Sequence, residues 1–468
     1  MRIRNSAKKL PFPIKQGIKY AYGMIPLPIR YGRVFRDTYA FLQESQWWSR
    51  EKLEEHQMQQ LEKLLAHSYE NVPYYRRIFD ERGLKPTDIQ DFDDLKKLPY
   101  LTKEIIREHL PDLVAKNYPK SKLHYVNTGG TTGIPLSFYW EEGLTDPKEW
   151  AFIWRQWNWA GAKLGDKRII LRGDTISRFR NGKRQWWEFS PLDNALILSS
   201  YQMTDETIPE YIEIINRFKP VAIQAFPSNL DILVKLMKKT NLRIESAKFI
   251  STSSETLYPH QRERIERFMG VSIYDLYGNT ERNALIMQCE KHNYHIIPEY
   301  GLVELIGTSG NHANGHREMG EIIATGFNNF AMPLIRYKTG DFTLCSEAGC
   351  SCGRNYPLLD KVKGRMQEFV ITRDNRLISM TGINVHSDVF DNVKQFQFCQ
   401  DKKGEIILNI VKMKTYVDRD TEHIKGLFDK LGDDMELFVR FVPSIPRTKG
   451  GKYRFLIQKL PIESENNK

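Results

Sequence analysis

Between residues 165 and 278, short β-rich runs alternate with helix-like ones, and this alternation restricts the fold more than any other feature. The β-rich runs are "KRIILRG", "NALILSS", "KPVAIQAF", "AKFISTSS" and "VSIYDLYG". Between several of them lie helical segments such as "NLDILVKLMKKT" and "PHQRERIERFMG". Strand and helix in turn predict a doubly wound α/β sheet. Ligands of such sheets sit beyond the carboxyl ends of the strands, so the residues that follow each run are where chemistry is expected.

Upstream, "SREKLEEHQMQQLEKLLAHSYENV" carries Leu53, Met58, Leu61, Leu64 and Leu65 at helical spacing with charges between, which predicts an amphipathic helix. "PYYRRIFDERGLKPTDI" and "DFDDLKKLPYLTKEIIREHL" read as short helices separated by proline-marked turns. From 300 to 345 the texture turns to β, with "YGLVELIG", "GEIIATGF" and "MPLIRYKTGDFTLC". After "KGR" at 363 to 365, strand-like "EFVIT", "GEIILNIVKM" and "ELFVRFV" surround helix-like "DTEHIKGLFDKL", the pattern of a small α+β domain. A chain of 468 residues is too long for one ordinary core. The expected division is a basic arm over 1–45, a large domain over 46–366 and a C-terminal domain over 367–468.

The net charge is +11, but residues 1–36 hold nine Lys or Arg and no Asp or Glu, so the rest of the chain carries only +2. That concentration argues against a nucleic-acid partner. The arm mixes its cations with "YAYGMIPLPIRYG", in which Gly23, Pro26 and Pro28 break the apolar run. Nothing in it approaches the roughly 20 apolar residues of a spanning helix, and no signal-type cleavage site follows. Such an arm can rest on an anionic membrane surface, at about 1 kcal/mol per basic residue, or it can be a solvated tail or a segment packed on the body. The cysteines number five, Cys289, Cys345, Cys350, Cys352 and Cys399. Odd and sparse usage without an export signal fits a reducing cytoplasm.

Five local signals carry the chemistry. The first, "NTGGTTGIPL" at 127–136, packs three glycines and three threonines into one turn. Hydroxyls and bare backbone N–H groups cradle phosphate oxygens well, although a Gly/Thr cluster alone is more often a surface turn. The others are "YDLYGNTERN", "MPLIRYKTGD", "KGRMQEFV" and "PRTKGGKYRFLIQK". Singly, their carboxylates and cations are ordinary turn, cap or surface residues. In this order they resemble the adenylate-forming superfamily of acyl-CoA synthetases, adenylation domains and luciferases. Within it the likeness is to the phenylacetate-CoA ligase branch and its relatives encoded among capsular polysaccharide genes. "NVPYYRRIFDERGLKP" and "LKKLPYLTKEIIREHL" match the N-terminal helices of that branch, and the resemblance runs from about residue 50 to the end.

The resemblance implies a large adenylate-forming domain, built of doubly wound α/β subdomains plus a β-rich subdomain, followed by a small mobile α+β lid. It implies ATP-dependent activation of a small carboxylic acid as an acyl-adenylate, then transfer to CoA, an amine or a hydroxyl. Thr128, Gly129, Gly130, Thr131, Thr132 and Gly133 would hold the leaving pyrophosphate, Glu281 would bind Mg²⁺, and Thr280 would contact the α-phosphate. Tyr277 and Gly278 would lie against the adenine, with Ser254 and Glu255 as the other wall. Asp341 would accept from the ribose hydroxyls beside Arg365, and Lys452 would bring a mobile cation to the reacting centre before the lid swings about a hinge near Gln367. The chain departs from the pattern at Gly129, Leu136 and Gln367, where many relatives have Ser, Lys, and Asp or Lys. Arg282 and Asn283, after Glu281, point to a polar or charged acid. Transfer of the adenylyl group itself, or a degenerate nucleotide-binding protein of surface-glycan assembly, are the alternatives.

"MQCEKHNYHI" and "CSEAGCSCGRN" bring thiols and imidazoles into two short loops. Converging thiolates and imidazoles make closed tetrahedral zinc sites, and packed reduced cysteines with surface histidines are the other reading. Relatives in the branch carry a comparable set, which implies a structural zinc held by Cys289, His295, Cys350 and Cys352, with His292 and Cys345 as alternates. Such a clamp would pin the loop after Glu281 to the loop after Asp341.

Overall fold

The computed structural model describes residues 12–128, 136–174, 176, 178–180, 183–200, 202–307, 318–346, 349–365, 369–374, 377–379, 390, 392–428, 434–447 and 454–460. Five parallel strands form its centre, in the spatial order Ala195–Ser199, Arg168–Asp174, Ala222–Ala225, Phe249–Ser253 and Ile273–Gly278. The helices Ile208–Phe218, Pro227–Thr240 and Pro259–Met269 connect them, as the alternation of patterns requires. Strands covered on both faces read as unbroken apolar runs, and all residues of Ala222–Ala225 and Phe249–Ser253 are buried. Ile169, Leu171, Ile223, Leu233, Ile250 and Ile265 fill the layer between sheet and helices. Asn241 and Gly270 end two of the helices in the left-handed conformation, the usual stop signal.

The β-rich stretch after residue 280 does not stand apart from this sheet. Leu285–Gln288 pairs antiparallel with Ile273–Gly278, and the pairing continues through Tyr294–Ile296, Leu358–Arg365, Tyr337–Cys345, Met319–Gly326 and Gly301–Gly307. With Trp187–Ser190, antiparallel to Ala195–Ser199 at the far edge, the described residues form one twelve-stranded sheet, and its five parallel strands meet the longer antiparallel run at Tyr277. In the C-terminal region Val393–Lys402 lies between Glu405–Lys412 and Leu456–Gln458, with Glu436–Phe441 at the edge and the helix Asp418–Phe428 beside it. Tyr258 stacks on Phe455 at 4.1 Å, and Lys235 Nζ donates to the Val393 carbonyl at 2.9 Å, joining this region to the large domain.

The described part of the basic arm, from residue 12, is helical. Phe12–Gly23 and Leu27–Ser45 are helices, and Pro26 and Pro28 stand at the start of the second, where a missing N–H costs nothing. Gly32, at φ 82°, kinks it. Leu27, Phe35 and Leu42 are buried against the helix Thr145–Trp159 and the sheet. Under them, Arg155 and Glu299 form an ion pair at 3.2 Å with both side chains fully buried. Tyr356 and Ser45 donate to the same Glu299 oxygen, at 2.7 and 2.6 Å. Arg155→Leu strands that carboxylate without its cation, which costs about 3–5 kcal/mol. A clear fall in the urea midpoint of the variant checks this.

Candidate active site

The neighbouring parallel strands Phe249–Ser253 and Ile273–Gly278 end side by side, and the residues after them form the first wall of the site. Ser254 follows with φ 71°. The Glu255 carboxylate accepts from the backbone N–H of Ser228 at 3.1 Å. That places its negative charge at the amino end of the helix Pro227–Thr240, where the helix dipole favours it. Glu255 therefore fixes the turn that presents Ser254.

After Gly278 the chain makes a tight turn. The N–H of Asn283 donates to Asn279 Oδ1 at 3.2 Å, that of Arg282 donates to the Asn279 carbonyl at 3.1 Å, and Arg282 takes φ 56°. The turn sits directly on the sheet because Gly301 and Gly326 lie beneath it. A β-carbon on either would come within 2.8 Å of Asn283 backbone atoms, closer than any side chain tolerates. Thr280 and Gly278 are exposed at the tip, whereas Glu281 turns inward and is only 8% exposed.

Two phenols hold the two carboxylates. Tyr337 donates to Glu281 Oε1 at 2.7 Å, and Tyr277 donates to Asp341 Oδ2 at 2.8 Å. Burial, reinforced by the neighbouring carboxylate, pushes both phenols well above their ordinary value, so both stay protonated donors. Asp341 lies opposite Arg365 in the strand register; the Arg365 side chain is outside those described. The turn before Asp341 is fixed by Lys103 Nζ, which donates to the Thr339 carbonyl at 2.9 Å, and by Glu321, which accepts from the Gly340 N–H at 3.2 Å.

The glycine loop enters from a hairpin of Leu123–Asn127 and Ser137–Glu141. Thr128 closes its neck: its N–H donates to the Leu136 carbonyl at 2.8 Å, and its hydroxyl accepts from the Leu136 N–H at 2.9 Å. Trp140, on the same hairpin, donates through Nε1 to the Thr280 carbonyl at 3.1 Å. Gly129, Gly130, Thr131, Thr132 and Gly133 lie outside the described residues, as do Lys452 and Gln367. The structure thus joins Tyr277 to Asp341, Tyr337 to Glu281 and the hairpin around Thr128 to Thr280, with Ser254 at the end of the strand beside Ile273–Gly278 and the backbone of Arg365 opposite Asp341. It adds Tyr337, which the motif "MPLIRYKTGD" already contained, and Trp140, whose role had no signal beyond its place after the glycine loop. Arg282 is engaged by Asp146 at 2.8 Å and lies over the Trp140 ring at 3.7 Å, so it does not by itself mark a charged substrate.

A second cluster lies farther along the same sheet. Cys289, His295, Cys350 and Cys352 bring their ligand atoms within 4.8 Å of one another. The tight connection after Leu285–Gln288 supplies Cys289, the strand Tyr294–Ile296 supplies His295, and the loop before Leu358–Arg365, which pairs with that strand, supplies the others. Cys289 Sγ is 3.6 Å from Cys350 Sγ, and Cys352 Sγ is 3.5 Å from His295 Nε2. Ligands of a tetrahedral zinc ion at ~2.0–2.3 Å stand roughly 3.5–3.8 Å apart, so the four positions fit that ion. The Lys291 N–H points at Cys289 Sγ at 3.3 Å and the Asn293 amide at Cys350 Sγ at 3.2 Å, orienting the sulfurs as outer partners of metal ligands do. Burial lowers His295 to about 4, which keeps its imidazole neutral and able to ligate. Of the alternates, Cys345 and His292 are not in the cluster, and His292 Nδ1 lies 3.4 Å from Arg262.

Comparison with known proteins agrees with this geometry. The family model described as the CapK C-terminal domain matches residues 370–459. Protein CapK of Staphylococcus aureus is 24% identical over 86% of this chain and 89% of its own length. Phenylacetate-coenzyme A ligase of Thermus thermophilus is 28% identical over 72% of this chain and 74% of its own. Among solved structures, 2-hydroxyisobutyryl-CoA ligase in the postadenylation state, in complex with 2-HIB-AMP, superposes with a TM-score of 0.69 at 18% identity, covering 89% of this chain and 93% of that one. No helix among the described residues is long and apolar enough to cross a membrane.

Proposed function

Since the chain belongs to the adenylate-forming superfamily, in the branch of phenylacetate-CoA ligase and CapK, we propose that it joins a small carboxylic acid to AMP and passes the acyl group to CoA. One carboxylate oxygen attacks the α-phosphorus of ATP and pyrophosphate leaves. The thiol sulfur then attacks the acyl carbon, the acyl–phosphate bond breaks, AMP departs and the thiol proton goes to solvent. The observation that carries this reading is the meeting of three distant segments, through Trp140 with Thr280, Tyr277 with Asp341, and Tyr337 with Glu281.

In this scheme the chain supplies position and charge rather than a nucleophile. Asp341 offers two acceptor oxygens to the vicinal ribose hydroxyls, held in place by Tyr277. The glycine loop and Thr280 take the phosphates, and Lys452 adds a cation to the α-phosphate. Glu281 offers the hard oxygen donor that Mg²⁺ prefers, and that ion when bound neutralises phosphate charge. The lid boundary at 367, the hinge at Gln367 and a role in surface-polysaccharide modification belong to the same proposal. Zinc in the Cys/His cluster would serve as a structural clamp.

ATP–pyrophosphate exchange over a panel of carboxylic acids tests it. Exchange with at least one acid and consumption of CoA to free AMP are expected. AMP found attached to the acceptor would favour adenylyl transfer, and no exchange by folded protein would favour the degenerate reading. Tyr337→Phe removes a hydrogen bond to a buried carboxylate, worth about 1–3 kcal/mol. Exchange is expected to fall about tenfold or more, with an unchanged circular dichroism spectrum.

A further inference from the structure

The two amino-terminal helices carry a surface that the catalytic reading does not use. Six of the twelve exposed large hydrophobic side chains among the described residues fall in one short stretch: Ile18, Tyr20, Tyr22, Met24, Ile25 and Ile29. A seventh, Leu192, joins them, because its carbonyl accepts from Arg30 and Gly23 packs on the adjoining Pro191. Met24, at the turn between the helices, is 81% exposed and Ile29 is 59% exposed. Met24 and Ile29 stand clear of the body and Tyr20 touches it at Phe189, while Leu27, Phe35 and Leu42 on the second helix are buried in it. The turn is therefore a fixed apolar prow and not a loose tail.

Cations lie along it. Lys19, Arg33 and Arg36 are exposed, Arg33 being paired with Asp37 at 3.1 Å, and residues 1–36 contain no carboxylate side chain. An exposed apolar patch needs an occupant, and charge decides which. A second copy docked on the same patch would set these cations against their own duplicates, as an isologous contact must. Nucleic acid would match the charge but leave the aliphatic groups in water. A bilayer surface with anionic headgroups meets both: phosphates face the cations, the tyrosines take the interface, and Met24, Ile25 and Ile29 enter the acyl boundary.

We propose that the turn around Met24, with Lys19, Arg33 and Arg36, docks the protein on anionic membrane surfaces as a peripheral, non-spanning contact. The inference is independent of the catalytic proposal. Full-length protein is sedimented with vesicles of phosphatidylcholine alone or mixed with phosphatidylglycerol. Binding to the mixed vesicles only, weakened by salt, is expected. Lys19→Gln and Arg36→Gln should each weaken it about fivefold, and Met24→Asp/Ile25→Asp should abolish it. All these side chains are exposed, so near-UV spectra and solution ATP–pyrophosphate exchange should stay as in the parent. Equal retention on both vesicle types, or none on either, overturns the proposal. So does light scattering that shows a dimer dissolved by Met24→Asp/Ile25→Asp.

Discussion

Glu281→Gln is expected to lower acid-dependent ATP–pyrophosphate exchange by about 10²–10³-fold, the loss seen when one preorganised electrostatic partner is taken from a charged transition state. The substitution keeps the shape of the side chain and an oxygen that can still accept from Tyr337, so the turn on which Gly301 and Gly326 close should stay folded. What it removes is the negative charge that a divalent cation requires. Raising Mg²⁺ should recover part of the lost rate, a response that a purely structural role would not give. Lys452→Ala makes the companion test. It should abolish exchange and leave ATP binding, followed by calorimetry, nearly unchanged. Full exchange activity in either variant would remove that residue from the chemistry.

The sequence was most legible where a local pattern is enough. Strands such as Phe249–Ser253 and Ile273–Gly278 were legible as short β-rich runs, and the helix between them as a longer segment of helical texture. The helix Thr145–Trp159 left no such trace. It buries Trp154, Arg155, Gln156 and Trp157 in succession, so no polar face alternates with an apolar one. For the arm the sequence left a solvated tail, a membrane contact and a segment packed on the body all open; its helices were not legible, because Pro26 and Pro28 interrupt the apolar run and suit a helix only by standing at its start. Motif residues such as Tyr277, Glu281 and Asp341 were readable from resemblance, but their partners were not. Tyr337 reaches Glu281, and Trp140 reaches Thr280, across 56 and 140 residues of chain; such pairings exist only once the sheet has closed. Arg282 shows the converse. It looked like a determinant of substrate charge until Asp146 and Trp140 appeared beside it.

The Cys/His cluster leads to the second large effect. The parent protein, purified without chelator, is expected to hold one zinc per chain by elemental analysis, and Cys350→Ser/Cys352→Ser to hold none. Structural zinc contributes on the order of 10 kcal/mol to the fold it closes. The double variant should therefore unfold at a markedly lower temperature, and its first loss of structure should lie in the connection at 289–293 and the loop before Leu358. Cys345→Ser provides the control, because Cys345 is buried nearby but is not in the cluster; its zinc content should equal the parent's. The connection at 289–293 hangs from the strand Leu285–Gln288, which follows directly on the turn holding Glu281. Loosening one end should loosen the other, and pyrophosphate exchange in the double variant is expected to fall even though the proposed substrate contacts include none of the cluster's cysteines. A parent protein free of zinc would end the metal assignment and leave three reduced thiols and an imidazole packed at 3.5–3.6 Å in their closest pairs. A parent with zinc and a double variant of undiminished exchange would keep the metal and sever it from the catalytic turn.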